Sequence, residues 1–154
     1  MEVCRLIKSV DIAPVLRDLD RLQFVHVNQG GGKYPCDVVL SSKFTAEIRQ
    51  FIESLELGGR TARAMLRRLE PRQSIPPHVD DWMPKEMNWS RFQVPITSHP
   101  EIVMRWPEDG VSVHLAPGFL YQVRFDRTHQ VDHNADCSRV HLQIDQIDST
   151  IGVF

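Results

Sequence analysis

Residues 139–147 read RVHLQIDQI and residues 91–97 read RFQVPIT. Both runs alternate. Val140, Leu142 and Ile144 fall on one side, with Arg139, His141, Gln143 and Asp145 on the other; Phe92, Val94 and Ile96 oppose Arg91, Gln93 and Pro95. A period of two marks a β-strand, because successive side chains point to opposite faces of a pleated backbone. If the apolar faces pack beneath helices, Arg91, Gln93, Arg139 and His141 line a polar interior, and a ligand site is the simplest use of one.

Around these runs the texture is consistent. Short strand-like segments separated by Pro, Gly, Asn and Asp recur from residue 61 onward, at 62–69, 101–106, 111–115 and 119–126. Segment 62–69, ARAMLRRL, suits a helix equally well on propensity. Upstream, residues 2–8 predict a short edge strand. Ile12, Val15, Leu16, Leu19 and Leu22 recur at helical spacing over 11–22, with Asp11 as N-cap and Pro14 in the first turn. Ser42 is read as the cap of a second helix over 43–56, with Phe44, Ile48, Phe51, Ile52 and Leu55 on its apolar stripe and Gly58-Gly59 as its stop. Gly30-Gly31-Gly32 reads as a linker or lid, since no strand–GxGxxG–helix context or phosphate-loop Lys-Ser/Thr surrounds it. Two helices followed by many short strands predict an α+β chain: a double-stranded β-helix, or jelly-roll barrel, with N-terminal helices packed on one sheet. The division expected is one domain over 1–154, with 1–60 as helical support and 61–154 as the β-helix core.

Composition narrows the classes. The 154 residues carry 42% hydrophobic and 25% charged side chains and a net charge of −2, ordinary for a soluble globular protein. No nucleic-acid footprint is expected; the basic stretch Arg60, Arg63, Arg67, Arg68 and Arg72 reads as a solvated face. Three widely spaced cysteines without a Cys-x-x-Cys pair point away from disulfides and zinc knuckles and toward a reducing compartment. The first twenty residues lack the apolar run of a signal peptide or membrane span, so a cytoplasmic protein is expected.

The chemistry lies in His78-Val79-Asp80, then His129, then Arg139. Two imidazoles and a carboxylate can hold one face of an octahedral Fe(II) and leave the opposite face open. Pro76-Pro77 hold the preceding chain extended, so His78 and Asp80 can point the same way. His99-Pro100-Glu101 also matches His-x-acid, but it sits in a turn-like context with no matching arginine downstream. For the third ligand, His133 is the nearest rival of His129, which its ten-residue spacing to Arg139 favours. An arginine on a strand can clamp an anionic co-substrate through two parallel hydrogen bonds.

The stretch Leu69-Glu70-Pro71 through Ile75-Pro76-Pro77-His78-Val79-Asp80 resembles the aspartyl/asparaginyl β-hydroxylase-like 2-oxoglutarate oxygenases. So do Arg91-Phe92-Gln93-Val94-Pro95-Ile96, Pro117-Gly118, and His129-Gln130-Val131 leading to Arg139-Val140-His141-Leu142 and Asp145. The resemblance spans about residues 62–146. It implies a double-stranded β-helix with Fe(II) on His78, Asp80 and His129, and the side-chain carboxylate of 2-oxoglutarate on Arg139. It also implies Arg91 and Gln93 near the co-substrate, although that family often has Arg-x-His where this chain has Arg91-Phe92-Gln93. An asparagine is common four residues past the distal histidine, where this chain has His133. Trp82, Trp89 and His141 are candidate substrate contacts. The implied activity is hydroxylation, with O₂, of a free amino acid or of an Asp or Asn side chain in a peptide. The alternative is a cupin-like metal-binding isomerase or small-molecule binding module on the same barrel.

Overall fold

A computed structural model describes residues 2–29 and 34–152. Among the described residues, eleven strands and two short α-helices follow one another in the order β1 (Cys4–Ser9), α1 (Ala13–Asp18), β2 (Val25–Gln29), β3 (Tyr34–Leu40), α2 (Ala46–Ser54), β4 (Arg60–Leu69), β5 (Ile75–His78), β6 (Trp89–Thr97), β7 (Ile102–Trp106), β8 (Val111–Val113), β9 (Phe119–Val123), β10 (His129–His133) and β11 (Arg139–Ile147). They form two antiparallel sheets, a larger one ordered β1-β9-β6-β11-β4-β3-β2 and a smaller one ordered β5-β10-β7-β8. From β4 onward the chain passes back and forth between the sheets. β4, β6, β9 and β11 enter the large one, and β5, β7, β8 and β10 the small one. That winding is the double-stranded β-helix.

The alternation in β6 and β11 sorts the core. Phe92, Val94, Ile96, Val140, Leu142 and Ile144 form one buried cluster with Val15 of α1 and Ile48, Phe51 and Leu55 around α2. The helices thus cover the outer face of the large sheet, and each fully buried leucine there contributes roughly 2–3 kcal/mol. Between the sheets lies a second cluster that includes Met65, Leu69, Ile75, Met104, Trp106, Tyr121 and Val131. The polar sides of β6 and β11 face this inner space, where Arg91, Gln93, Arg139, His141, Gln143 and Asp145 are all buried.

Several local expectations shift. The first helix is shorter than 11–22: it spans Ala13–Asp18 and tightens into a 3₁₀ turn over Leu19–Arg21. Thr45, not Ser42, caps α2, its Oγ1 accepting from the Ile48 N–H at 3.3 Å, while Ser41–Lys43 form a 3₁₀ turn. Gly58 and Gly59 come after α2 has ended; both have positive φ, and Gly59 approaches the backbone of Ile147 and Asp148 too closely for any side chain. Residues 1–60 are not helical support alone, since β1, β2 and β3 widen the large sheet on both edges. Gly30-Gly31-Gly32 lies outside the described residues. The ambiguous 62–69 is a strand because β4 finds ladder partners on both sides, β11 and β3. In consequence the basic stretch is not one solvated face: Arg63 and Arg67 turn inward with Met65, and Arg68 pairs with Asp37.

Two prolines sit where the sheet tolerates a missing N–H. Pro76 and Pro77 lie on β5, at the edge of the small sheet. Pro95 lies opposite a register shift between Val140 and His141 of β11. Among the described residues no helix is long and apolar enough to cross a membrane.

Candidate metal centre

His78 ends β5 and His129 begins β10, and the two are direct partners across the antiparallel pair. Their ring centroids stand 4.3 Å apart. Asp80 follows two residues later, its N–H held by the Phe125 carbonyl at 3.1 Å. His78 Nε2 lies 3.5 Å from Asp80 Oδ1, and His129 Nε2 lies 3.9 Å from Asp80 Oδ2. One ligand atom from each of the three residues falls within 4.8 Å of the others.

The ring tautomers follow from the outer contacts. His78 Nδ1 donates to the Pro76 carbonyl at 2.9 Å, and His129 Nδ1 donates to the Arg127 carbonyl at 2.8 Å. A carbonyl can only accept, so each Nε2 presents a lone pair to the shared space. Burial pulls the His129 pKa down to about 4, so its ring is neutral at physiological pH. Lone pairs from two imidazoles therefore converge with a carboxylate, and a cation among them relieves their mutual repulsion. Such carbonyl contacts to Nδ1 are the usual outer support of a metal-binding imidazole. The donor set fits a divalent transition metal with open positions.

Asp80 is itself anchored from behind. Arg91 Nη1 donates to Asp80 Oδ2, while Arg91 Nε and Nη2 hold Asp145 at 2.7 and 3.1 Å. Arg63 reaches the same Asp145 carboxylate at 3.2 Å through Nε. Burial works to raise the Asp80 pKa, but the Arg91 charge and then the two histidines outweigh it, so Asp80 sits below the usual carboxylate range. Arg91 shows the same balance with the opposite outcome: burial lowers it, and Asp145 and Asp80 more than restore its charge.

Arg139 stands in contrast. It is buried on the inner face of β11, and its guanidinium has no ion pair or side-chain hydrogen bond among the described residues. Burial, with repulsion from Arg67, lowers its pKa to about 9. An unpaired buried cation is costly, and an anionic ligand is the natural complement. His141, two residues along, places Nδ1 at 2.7 Å from Gln93 Oε1 and leaves Nε2 without a partner.

A pocket of about 520 Å³ opens beside the triad, lined by Asp80 and Arg91 and by Val79, Met83, Trp89 and Phe125 among others. Trp89 is thus in its wall. Trp82 is half exposed, packs edge-on against Trp89 at 5.5 Å and carries the Arg63 guanidinium 4.2 Å over its ring. His141 and Arg139 are buried and do not line this pocket. His99 is on the surface, 3.8 Å from Glu101 and away from the triad. His133 points into the barrel like His129, but its Nδ1 accepts from the Ala135 N–H at 3.4 Å and closes the β10–β11 turn.

Asp145 and Arg63 are the members of the network whose part the sequence reading did not assign. For Asp145 the signal was present, since it shares the inward parity of Arg139 and His141. Arg63 was legible only as part of a charge run, and its inward side emerges once β4 is known to be a strand.

No family model and no curated protein matches the sequence. Solved structures share the fold. A prolyl-4-hydroxylase from Pseudomonas putida matches with a TM-score of 0.63 at 14% identity, over 88% of this chain and 83% of its own. An oxidoreductase of the 2OG-Fe(II) oxygenase family from Burkholderia pseudomallei matches with a TM-score of 0.62 at 13% identity, over 93% and 85%. A predicted oxalate decarboxylase from Thermotoga maritima matches with a TM-score of 0.52 at 10% identity, over 83% and 95%. The fold is therefore the α+β, cupin-type double-stranded β-helix. Enzymes of different chemistry use this barrel, so the reaction must be argued from the site.

Proposed function

We propose that the chain is an Fe(II)- and 2-oxoglutarate-dependent oxygenase that hydroxylates a free amino acid or an Asp or Asn side chain in a peptide. One observation carries the reading: the polar inner face that meets the His78–Asp80–His129 triad at one end holds an unpaired, buried Arg139 at the other. A metal site alone would suit any cupin; a metal site sharing its barrel with an unsatisfied guanidinium suits a metal-chelating acid with a second carboxylate.

His78, Asp80 and His129 would hold Fe(II), and Arg139 the far carboxylate of 2-oxoglutarate. When bound, these groups supply the oxidising power, with O₂, to hydroxylate a C–H bond while 2-oxoglutarate becomes succinate and CO₂. The chain's own residues do the rest. Asp80 contributes the one negative charge of the triad, and Arg91 fixes its orientation. With Nε and Nη2 held by Asp145 and Nη1 by Asp80, Arg91 acts as a positioning residue for Asp80 and has little reach left for the co-substrate. Trp89, Met83 and Phe125 give the neighbouring pocket apolar walls that exclude water from a bound substrate. The three free cysteines fit a cytosolic setting.

Thermal unfolding with Mn(II) and N-oxalylglycine, a non-reacting mimic of 2-oxoglutarate, tests the reading. Joint stabilisation beyond that given by Mn(II) alone is expected. Stabilisation by metal with none from the mimic would instead favour the cupin-like isomerase or binding module. Substrate-dependent succinate formation should vanish in His129→Ala.

A further inference from the structure

The barrel interior holds a buried polar atom that the triad does not use. His141 Nε2 has no hydrogen-bond partner, and the residue is almost fully buried. Alternation along β11 puts His141 on the same inner face as Arg139, roughly 7 Å further along the strand. Burial and then the charges of Arg139, Arg67 and His114 hold its pKa well below 6.5, so the ring is neutral and carries one proton.

Where that proton sits depends on Gln93. With Gln93 Oε1 facing Nδ1 at 2.7 Å, the proton is on Nδ1 and Nε2 is a bare acceptor. With the carboxamide turned over, its N–H donates to Nδ1 and the proton belongs on Nε2. The Gln93 side chain makes no other hydrogen bond among the described residues, so nothing there holds the carboxamide in one sense. A carboxylate held by Arg139 within reach of Nε2 would favour the second arrangement, because a carboxylate accepts hydrogen bonds and needs donors.

We propose that His141 is a second donor of the far-carboxylate site, with Gln93 as the residue that sets its tautomer. This rests on the oxygenase reading above. When 2-oxoglutarate binds, the His141 proton leaves Nδ1 and a proton arrives at Nε2, with no net uptake, and the Gln93 carboxamide rotates to donate to Nδ1. The position that often carries a histidine in the resembled enzymes is a glutamine here, and in this chain it acts on the ligand through His141.

The experiment measures binding of 2-oxoglutarate, and of pyruvate as a 2-oxo acid without the far carboxylate, to the Mn(II)-loaded protein by calorimetry. His141→Leu should weaken 2-oxoglutarate by roughly tenfold to a hundredfold, the worth of one hydrogen bond to a charged group, and leave pyruvate unchanged. His141→Gln, which restores an N–H at a similar reach, should recover most of the loss. In ¹⁵N spectra of the histidine rings, His141 should pass from the Nδ1–H to the Nε2–H form on adding 2-oxoglutarate. If His141→Leu binds 2-oxoglutarate like wild type while Arg139→Leu does not, His141 has no part in the site and the oxygenase reading stands. An equal loss for pyruvate would make its role structural and overturn the proposal. A ring that stays Nδ1–H in the complex would overturn it too. Absence of 2-oxoglutarate binding in the wild type would remove the reading beneath it.

Discussion

Arg139→Met should make this protein more stable and, on the proposed reading, less able to bind 2-oxoglutarate. The guanidinium is buried without a counter-charge among the described residues, and burial, reinforced by Arg67, brings its pKa from 12.5 to about 9. At 1.36 kcal/mol per pKa unit, that corresponds to roughly 5 kcal/mol of unfavourable interaction in the charged form. The folded pKa lies below the unfolded one, so the cost is fully present at neutral pH and is relieved only as pH rises past 9. Relaxation and water entry reduce it, and apolar replacement of buried charges typically gains about 1–4 kcal/mol. With a urea dependence of roughly 2 kcal/mol per molar, the unfolding midpoint should rise by about 0.5–2 M. The assay is urea unfolding of both proteins, with and without Mn(II) and N-oxalylglycine. Wild type should gain stability from the mimic and the variant should not, so that the ligand narrows or reverses their order. A variant less stable than wild type by 1 kcal/mol or more would refute the reasoning, since it would mean that the guanidinium already has its partner within the fold.

Three further outcomes follow from the same geometry. Asp145→Asn removes the anion shared by Arg91 and Arg63 and should cost about 3–5 kcal/mol in urea unfolding; loosening the support of Asp80 should also weaken Mn(II) binding about tenfold to a hundredfold. His129, with a folded pKa of about 4 against 6.5, makes its unfolded form bind protons more tightly. Stability should therefore be full above pH 6.5 and fall by about 3 kcal/mol as pH drops toward 4, and urea midpoints for His129→Leu should show a flatter slope over that window. Gly59→Ala would set a Cβ against the Ile147 carbonyl at a φ of +60° and should destabilise by at least about 2 kcal/mol, read as a lower thermal midpoint.

The oxygenase reading also explains an asymmetry within one sheet. At the triad end of the inner face, Arg91, Asp145, Arg63 and Asp80 satisfy one another. Toward the other end, Arg139 and His141 keep unspent hydrogen-bonding capacity. Satisfied groups hold a geometry, and unsatisfied ones await a ligand. On the proposed reading this difference would make Arg91 a positioning residue and Arg139 a binding residue, although both are inward arginines on neighbouring strands.

Local pattern carried much of this in the sequence alone. The strict alternation of 91–97 and 139–147 gave two strands with one apolar and one polar face, because successive side chains point to opposite sides of the pleat; that the apolar faces meet the helices is decided by the buried cluster they form with them. The His78-x-Asp80 pair after two prolines was legible for a similar reason. What local pattern could not carry were choices that depend on a distant partner. Segment 60–69 became a strand because β11 and β3 pair with it, and the paired strands β2 and β3 left little periodicity of their own. His129 and His133 both point inward on β10, but only His129 stands opposite His78 across the β5–β10 ladder. Asp145 had the right parity, yet its value comes from Arg91 and Arg63, which reach it from the two strands flanking its own. Burial supplied the rest: at Arg139 it leaves a cation with no counter-charge among the described residues, and at His141 it isolates a nitrogen from water.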